Sequence, residues 1–338
     1  MELQLKNIGM IKEANVFIDG LTVIAGENDT GKSTVGKALY VILKSREKGF
    51  TQKTRDENIR GDSAVLNVGY LMSKLFKQNS LSEGGYLSLK TEYGRYSLKR
   101  DDRFSAPSIG EEHIGGVSEK ERDIIFIETP LVWNFMKLFS DLSLIESQMN
   151  ISLDYPYFFK DLHFKLSIKR TSSKSSRVTD DTISLMEGRF IQDDKGNFFF
   201  HKNGQDIEMI NTATGIKYFG IFQVLSQNNY LNENTVLVLD EPEVHLHPKW
   251  QLEMAKIIVE LVKNGVKILV NSHSPYMIEA LQRYSELEKV NADFYLAEDG
   301  YIKKENNGNS ETLVKIFEKL SEPFDVFEEM ESERFQNG

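Results

Sequence analysis

Cysteine is absent from this sequence. That excludes disulfides, thiolate metal sites and cysteine nucleophiles, and it agrees with a cytoplasmic setting. Long apolar runs are also missing, so no segment reads as a bilayer span and no membrane partner is expected. The first residues, MELQLKNI, alternate like a strand rather than forming a basic and then apolar leader. A basic excess is lacking as well: 41 Lys and Arg stand against 51 Asp and Glu, a net charge of −10. Proteins that grip duplex nucleic acid draw much of their affinity from neutralising phosphates, so this balance does not support nucleic-acid binding. Such contact would need a local basic patch or a basic partner. The one dense basic run, Lys165–Arg177, reads as a solvated loop or hairpin edge. No heptad array is long enough for a coiled-coil arm.

What is present is a core and an α/β rhythm. Hydrophobic residues make up 40% of the 338 positions, enough for one large or two moderate domains. Residues 1–8 and 13–18 alternate as half-buried strands, and 21–25 is a continuous apolar run suited to a buried strand. A helix begins at Lys32 with Val35, Ala38, Leu39, Val41 and Ile42 on its inner surface. From 45 to 208 the pattern changes: a polar linker, a helix over 64–76, and a hairpin over 86–100 turning near Gly94. A mobile stretch over 103–116 precedes a strand at 123–128, and Pro130 opens a helix. Residues 171–180 read as an exposed Ser/Lys/Thr-rich loop. Later, 190–191 and 198–200 form a hairpin, 214–225, 248–262 and 275–281 are helical, and 236–239, 266–270 and 294–296 are strands. Alternation at both ends of the chain implies one mostly parallel sheet that the two ends complete together. The expected organisation is a head made of 1–45 and 185–338, with 46–184 inserted as mixed helix and strand.

Three motifs carry chemistry. Gly26-Glu-Asn-Asp-Thr-Gly31-Lys32-Ser33 fits the phosphate-loop pattern without a gap, between a buried strand and a helix. Its glycines let successive N–H groups face phosphate oxygens, and the helix N-terminus adds partial positive charge. Gly26, Asn28, Asp29, Thr30, Gly31, Lys32, Ser33 and Thr34 are therefore expected to hold ATP. Lys32 would reach the β- and γ-phosphates, and the Ser33 hydroxyl would bind Mg²⁺. The second motif is an apolar strand ending in adjacent carboxylates, Val236–Leu239 followed by Asp240-Glu241-Pro242. Unpaired buried charge is costly, so these groups belong at the mouth of the sheet. Asp240 is placed to hold Mg²⁺ through water, and Glu241 to deprotonate the attacking water. The third is Val270-Asn-Ser-His273-Ser-Pro275, where His273 could sense a γ-phosphate. A rival reading puts Glu241, Glu243, His245 and His247 on one face of a strand as metal ligands, but Pro242 and Pro248 bracket a turn instead.

The segments LVLDEPEVHLHPKWQ and LVNSHSPYMIEAL closely resemble the ABC-type ATPases of the OLD and RecF/SMC-like group. That group is related to ATPases of bacterial anti-phage systems, including the Septu type. The resemblance spans roughly 1–45 and 185–285. It implies an α/β fold: an ABC-ATPase-like P-loop NTPase head with a mostly parallel sheet, N-terminal antiparallel strands and a large α+β insertion. It matches Asp240 and Glu241 to the metal-binding and general-base carboxylates, and His273 to the switch histidine. Leu246-His247-Pro248 falls at the loop that usually crosses a dimer interface. Thr214 and Gly215, in Asn211–Lys217, match a signature motif that completes the partner's site, although Thr214 and Ile216 depart from the usual Ser-Gly-Gly-Gln. The resemblance thus implies a homodimer sandwiching two ATP molecules. Many OLD-type relatives carry a C-terminal Toprim nuclease; the 65 residues after His273 leave no room for one, so a separate effector such as a nuclease is expected. The biological role is open between a regulator of an anti-phage complex and a DNA-repair or chromosome-maintenance ATPase. A transporter motor fits the large insertion less well.

Overall fold

The computed structural model describes residues 1–47, 63–76, 81–100, 108–113, 122–151, 153, 155–170 and 176–336. The chain opens with an antiparallel pair, β1 (Glu2–Ile8) and β2 (Ile11–Phe17), joined by a tight turn in which Asn7 and Gly9 take positive φ. Next come β3 (Leu21–Ala25) and α1 (Lys32–Lys44). The middle of the chain adds α2 (Ser63–Phe76), β4 (Leu81–Lys90), β5 (Gly94–Lys99), β6 (Ser108–His113) and β7 (Asp123–Ile127). A 3₁₀ turn over Pro130–Phe135 leads into α3 (Met136–Met149), α4 (Tyr157–Ser167) and α5 (Arg177–Met186). Three short strands follow, β8 (Arg189–Gln192), β9 (Phe198–Lys202) and β10 (Gln205–Glu208), then α6 (Thr214–Gln227). The remainder alternates: β11 (Thr235–Asp240), α7 (Pro248–Lys263), β12 (Lys267–Ser272), α8 (Pro275–Glu288), β13 (Ala292–Glu298), β14 (Tyr301–Lys303) and α9 (Asn309–Gln336).

Eleven of the described strands form one sheet in the order β6-β5-β4-β1-β2-β14-β13-β3-β12-β11-β7. Its N-terminal side is antiparallel, whereas β13, β3, β12, β11 and β7 run parallel. Residues from the expected insertion supply β4, β5 and β6 at one edge and β7 at the other, so that segment is built into the sheet of the head. The stretch expected to be mobile, 103–116, contains a paired strand over 108–113; its remaining residues, part of the linker after Ser45, and 171–175 of the basic run lie outside the described residues.

β3 is buried at all five positions because both neighbours pair with it and helices cover both faces. Leu21, Val23 and Ala25 join the core under α6, α7 and α8, while Ile24 joins the core under α1 and α4. α1 buries Val35, Ala38, Leu39, Val41 and Ile42. Each such Val, Leu or Ile contributes about 1.5–3 kcal/mol. Gly36 lets α1 lie flat on the sheet: a Cβ there would meet Val238 at 2.8 Å and Phe126 at 3.1 Å. β8, β9 and β10 form a separate small sheet seated on α6. The Gln223 side chain pairs with both the N–H and the C=O of Phe190, at 2.9 and 3.0 Å, fixing the second half of α6 relative to the small sheet. Among the described residues no helix is long and apolar enough to cross a membrane.

The inner end of α1 is pinned by buried charge. Asp161 of α4 takes Lys44 at 2.7 Å, Lys165 at 2.9 Å and the Tyr40 hydroxyl at 3.1 Å. Lys165 also meets Asp123, the first residue of β7, at 2.8 Å. Burial opposes ionisation of Asp161, but the two lysines outweigh it and hold the carboxyl below its ordinary value of 3.8. The helix that carries the phosphate loop is thus tied to the edge strand and to α4.

Candidate functional site

The parallel register collects the three motifs at one edge. Asp240 pairs with Asn271 across β11 and β12, and Ser272 pairs with Ala25 across β12 and β3. The residues that follow these strands, Gly26, Glu241 and His273, therefore emerge side by side at the carboxyl end of the sheet, where α/β sheets place their ligands.

The phosphate loop is shaped by its glycines. Gly26 lies where a Cβ would stand 2.3 Å from the Ala297 carbonyl oxygen, so no larger residue fits without moving backbone. Gly31 precedes α1 with φ 92°, and its Cβ would meet Ile11 at 2.5 Å, against the β1–β2 turn. Asp29 also has positive φ, 65°, which a short polar side chain tolerates. Asn28 and Asp29 are exposed, and the Thr30 hydroxyl donates to the Glu27 carbonyl at 2.9 Å. The Thr34 amide donates to the Gly31 carbonyl at 3.0 Å. Lys32 reaches back across the loop, its Nζ donating to Gly26 O at 2.9 Å and Glu27 O at 2.5 Å. Burial lowers its affinity for the proton below the ordinary 10.5, against the pull of Glu241 and Asp240.

Asp240 is 5% exposed, and its Oδ1 accepts from Ser33 Oγ at 3.1 Å and Asn271 Nδ2 at 2.8 Å. Burial pushes this carboxyl above its usual range, and the hydrogen bonds from Asn271 and Ser33 only partly offset it. A buried carboxylate held by neutral donors beside a hydroxyl suits a divalent cation, so Ser33 and Asp240 fit Mg²⁺. Glu241 takes φ 52°, which turns the chain sharply off the strand while its amide still donates to Asn271 O at 2.9 Å. This places its Oε1 3.3 Å from His273 Nδ1. Lys32, Ser33, Asp240, Glu241 and His273 are thus brought together.

Thr214 and Gly215 lie at the start of α6. A Cβ on Gly215 would meet Leu246 and Trp250 at 3.2 Å, so this segment packs on the loop after β11 and the first turn of α7. No hydrogen bond among the described residues joins Thr214 or Gly215 to the phosphate loop. The four alternating acidic and histidine residues do not share a strand face. Their segment folds into turns, Val244 N to Glu241 O at 3.1 Å and Leu246 N to Glu243 O at 2.9 Å, and His247 caps α7. Sequence reasoning missed Glu243 as part of the site. It is 4% exposed, and its Oε1 accepts from Ser272 Oγ at 2.7 Å, His273 N at 2.9 Å and Ser274 N at 3.2 Å. The available signal was a third carboxylate immediately after Asp240-Glu241-Pro242, in a segment bracketed by Pro242 and Pro248.

Comparison with known proteins agrees with this geometry. A family model described as "AAA domain, putative AbiEii toxin, Type IV TA system" matches residues 21–279. The Septu protein PtuA of Bacillus thuringiensis is 21% identical over 315 residues, which cover 82% of this chain and 72% of that protein. Among solved structures, an SMC head bound to the C-winged helix domain of ScpA overlays with a TM-score of 0.50 at 15% identity, covering 89% of this chain and 95% of that one. An SMC head with an extended coiled coil, bound to the C-terminal domain of ScpA derived from Pyrococcus furiosus, gives 0.50 at 12% identity, covering 95% and 99%. The fold is that of an SMC-type ATPase head, and with more than half of its length matched, from β3 into the first turns of α8, the chain belongs to this AAA domain family.

Proposed function

We propose that this chain is an ATP-hydrolysing switch whose nucleotide state controls a separately encoded effector in anti-phage defence. The observation that carries the hydrolytic reading is the grouping at one sheet edge of Ser33 and Asp240, 3.1 Å apart, with Glu241 and His273, 3.3 Å apart. Loop amides and Lys32 hold the β- and γ-phosphates, freed from the carbonyls Lys32 now contacts. Mg²⁺, held by Ser33 and through water by Asp240, would supply positive charge to the phosphate oxygens. Glu241 takes a proton from the attacking water as the water oxygen bonds to the γ-phosphorus and the bond to the β–γ bridging oxygen breaks. His273 donates to the transferring phosphoryl group and loses that contact once phosphate leaves.

Support for the switch comes from Gly215, packed on Leu246 and Trp250. In this reading Thr214 and Gly215 complete the site of a second copy, and the loop at 246–248 lies at the interface between heads. In this reading the head comprises 1–45 and 185–338, with 46–184 as an insertion that lends strands to both edges of its sheet. The likeness to Septu protein PtuA supports the defence role. A chain with a net charge of −10 suits control of a partner, a nuclease for instance, better than direct clamping of DNA.

The test is molecular mass in solution with and without Mg-ATP, for wild type and Glu241→Gln. The variant should bind ATP, hydrolyse it at least about 100-fold more slowly and accumulate as dimer. Normal hydrolysis by Glu241→Gln removes Glu241 from the mechanism, and an unchanged monomer removes the sandwich.

A further inference from the structure

Glu243 has a place that the hydrolytic reading above does not use. One oxygen, Oε1, gathers the Ser272 hydroxyl and the amides of His273 and Ser274, the backbone that carries His273. The same oxygen is 3.5 Å from His273 Nδ1, on the ring nitrogen that faces Glu241. The contacts continue round a closed circuit. Ser274 Oγ donates to Gln251 Oε1 at 2.6 Å, Gln251 Nε2 donates to Leu246 O at 3.1 Å, and Leu246 N donates to Glu243 O at 2.9 Å. Each member of that circuit is buried. The other oxygen, Oε2, is buried without a hydrogen-bond partner among the described residues, and burial pushes the carboxyl above its ordinary range. A carboxylate whose second oxygen is desolvated for nothing is an expensive way to fill space. Its retention at this point is explained by what Oε1 fixes.

We infer that Glu243 is a positioning residue for hydrolysis: by holding the 272–274 backbone through one oxygen it aims the His273 ring at Glu241 and at the γ-phosphate, and it locks that aim to the segment 244–247. The inference rests on the proposed hydrolysis for its kinetic meaning, but the fixing of the loop stands apart from it. It also makes the histidine responsive to whatever meets Leu246, because the Leu246 backbone closes the circuit at both its N–H and its C=O.

The experiment compares wild type, Glu243→Ala and Glu243→Gln by steady-state hydrolysis, nucleotide affinity, and amide hydrogen exchange across 270–276 without nucleotide. Glu243→Ala should lower kcat about 100-fold through a misaimed histidine. KM and nucleotide affinity should stay within about three-fold, since the phosphate loop is untouched. The His273 and Ser274 amides, deprived of their acceptor, should exchange at least about ten-fold faster. Glu243→Gln keeps an acceptor oxygen of the same reach and should restore both kcat and protection. Unchanged kcat in Glu243→Ala overturns the inference. So does a parallel loss of nucleotide affinity, which marks a general structural role, and so does a glutamine variant as impaired as alanine. If wild type hydrolyses no ATP, the functional reading fails instead. The exchange measurement then decides alone: faster exchange at 273 and 274 in the alanine variant upholds the positioning, and unchanged exchange ends it.

Discussion

Asp240 is a carboxylate kept where folding alone would not put one. Its partners are a hydroxyl and an amide, both neutral, and burial raises its pKa above the ordinary 3.8. A raised carboxyl pKa in the folded state means that the native protein binds the proton more tightly than the unfolded chain, so ionised Asp240 costs stability at neutral pH. Asp240→Asn should therefore raise the stability of the nucleotide-free protein by about 1 kcal/mol in urea unfolding, while Mg²⁺-dependent hydrolysis is lost. A destabilised Asn variant would mean that Asp240 has a cationic partner within the fold itself. Glu241 follows the same logic of function over comfort, since its φ of 52° is strained for a side chain of its size.

At the scale of elements, the buried ion network joins α1, α4 and β7 more firmly than apolar packing would specify. Lys165 is 1% exposed and depends on Asp161 and Asp123. Asp161→Asn removes one of its two carboxylates and one of the partners of Lys44, and should cost about 3 kcal/mol. Because the Asp161 pKa is lowered in the folded state, its contribution is complete above the ordinary 3.8 and is lost as pH falls through the folded value. The difference between wild type and Asp161→Asn should be flat from pH 5 to 8 and shrink only below 3.8, as followed by denaturant unfolding across pH.

Much of this architecture was legible in the chain. β3, α1, β11, α7, β12 and α8 follow from apolar runs, and from Gly31, Pro248 and Pro275 as start signals, because those cues act within a few residues. The phosphate loop, Asp240, Glu241 and His273 were readable for the same reason. The places of β4 beside β1 and β7 beside β11 were not, since pairing between distant strands leaves no local mark. The 3₁₀ turn at Pro130–Phe135 reads as helix because both share a proline start. Glu243 was hidden by its neighbours: between Glu241 and two histidines it looks like an exposed acidic turn, and only the fold buries it against the 272–274 backbone.

For the whole molecule, charge decides what the surface meets. With a net charge of −10, the isolated protein should show no retention of duplex DNA in a mobility-shift assay at roughly 150 mM salt, where phosphate contacts already weaken steeply. Tight, salt-resistant DNA binding by the chain alone would favour the chromosome-maintenance reading over control of a separate effector.

The position of β3 also bears on how the protein is made. The strand that presents the phosphate loop leaves the ribosome long before its two sheet neighbours, Lys267–Ser272 and Ala292–Glu298. At about 5–20 residues per second, it waits roughly 10–50 s for partners that lie some 240 residues later. Until then its apolar residues, and the loop behind it, have no sheet to join. A nascent or prematurely ended chain thus cannot assemble the phosphate-loop site, and a chain translated only in part would be inert rather than misregulated.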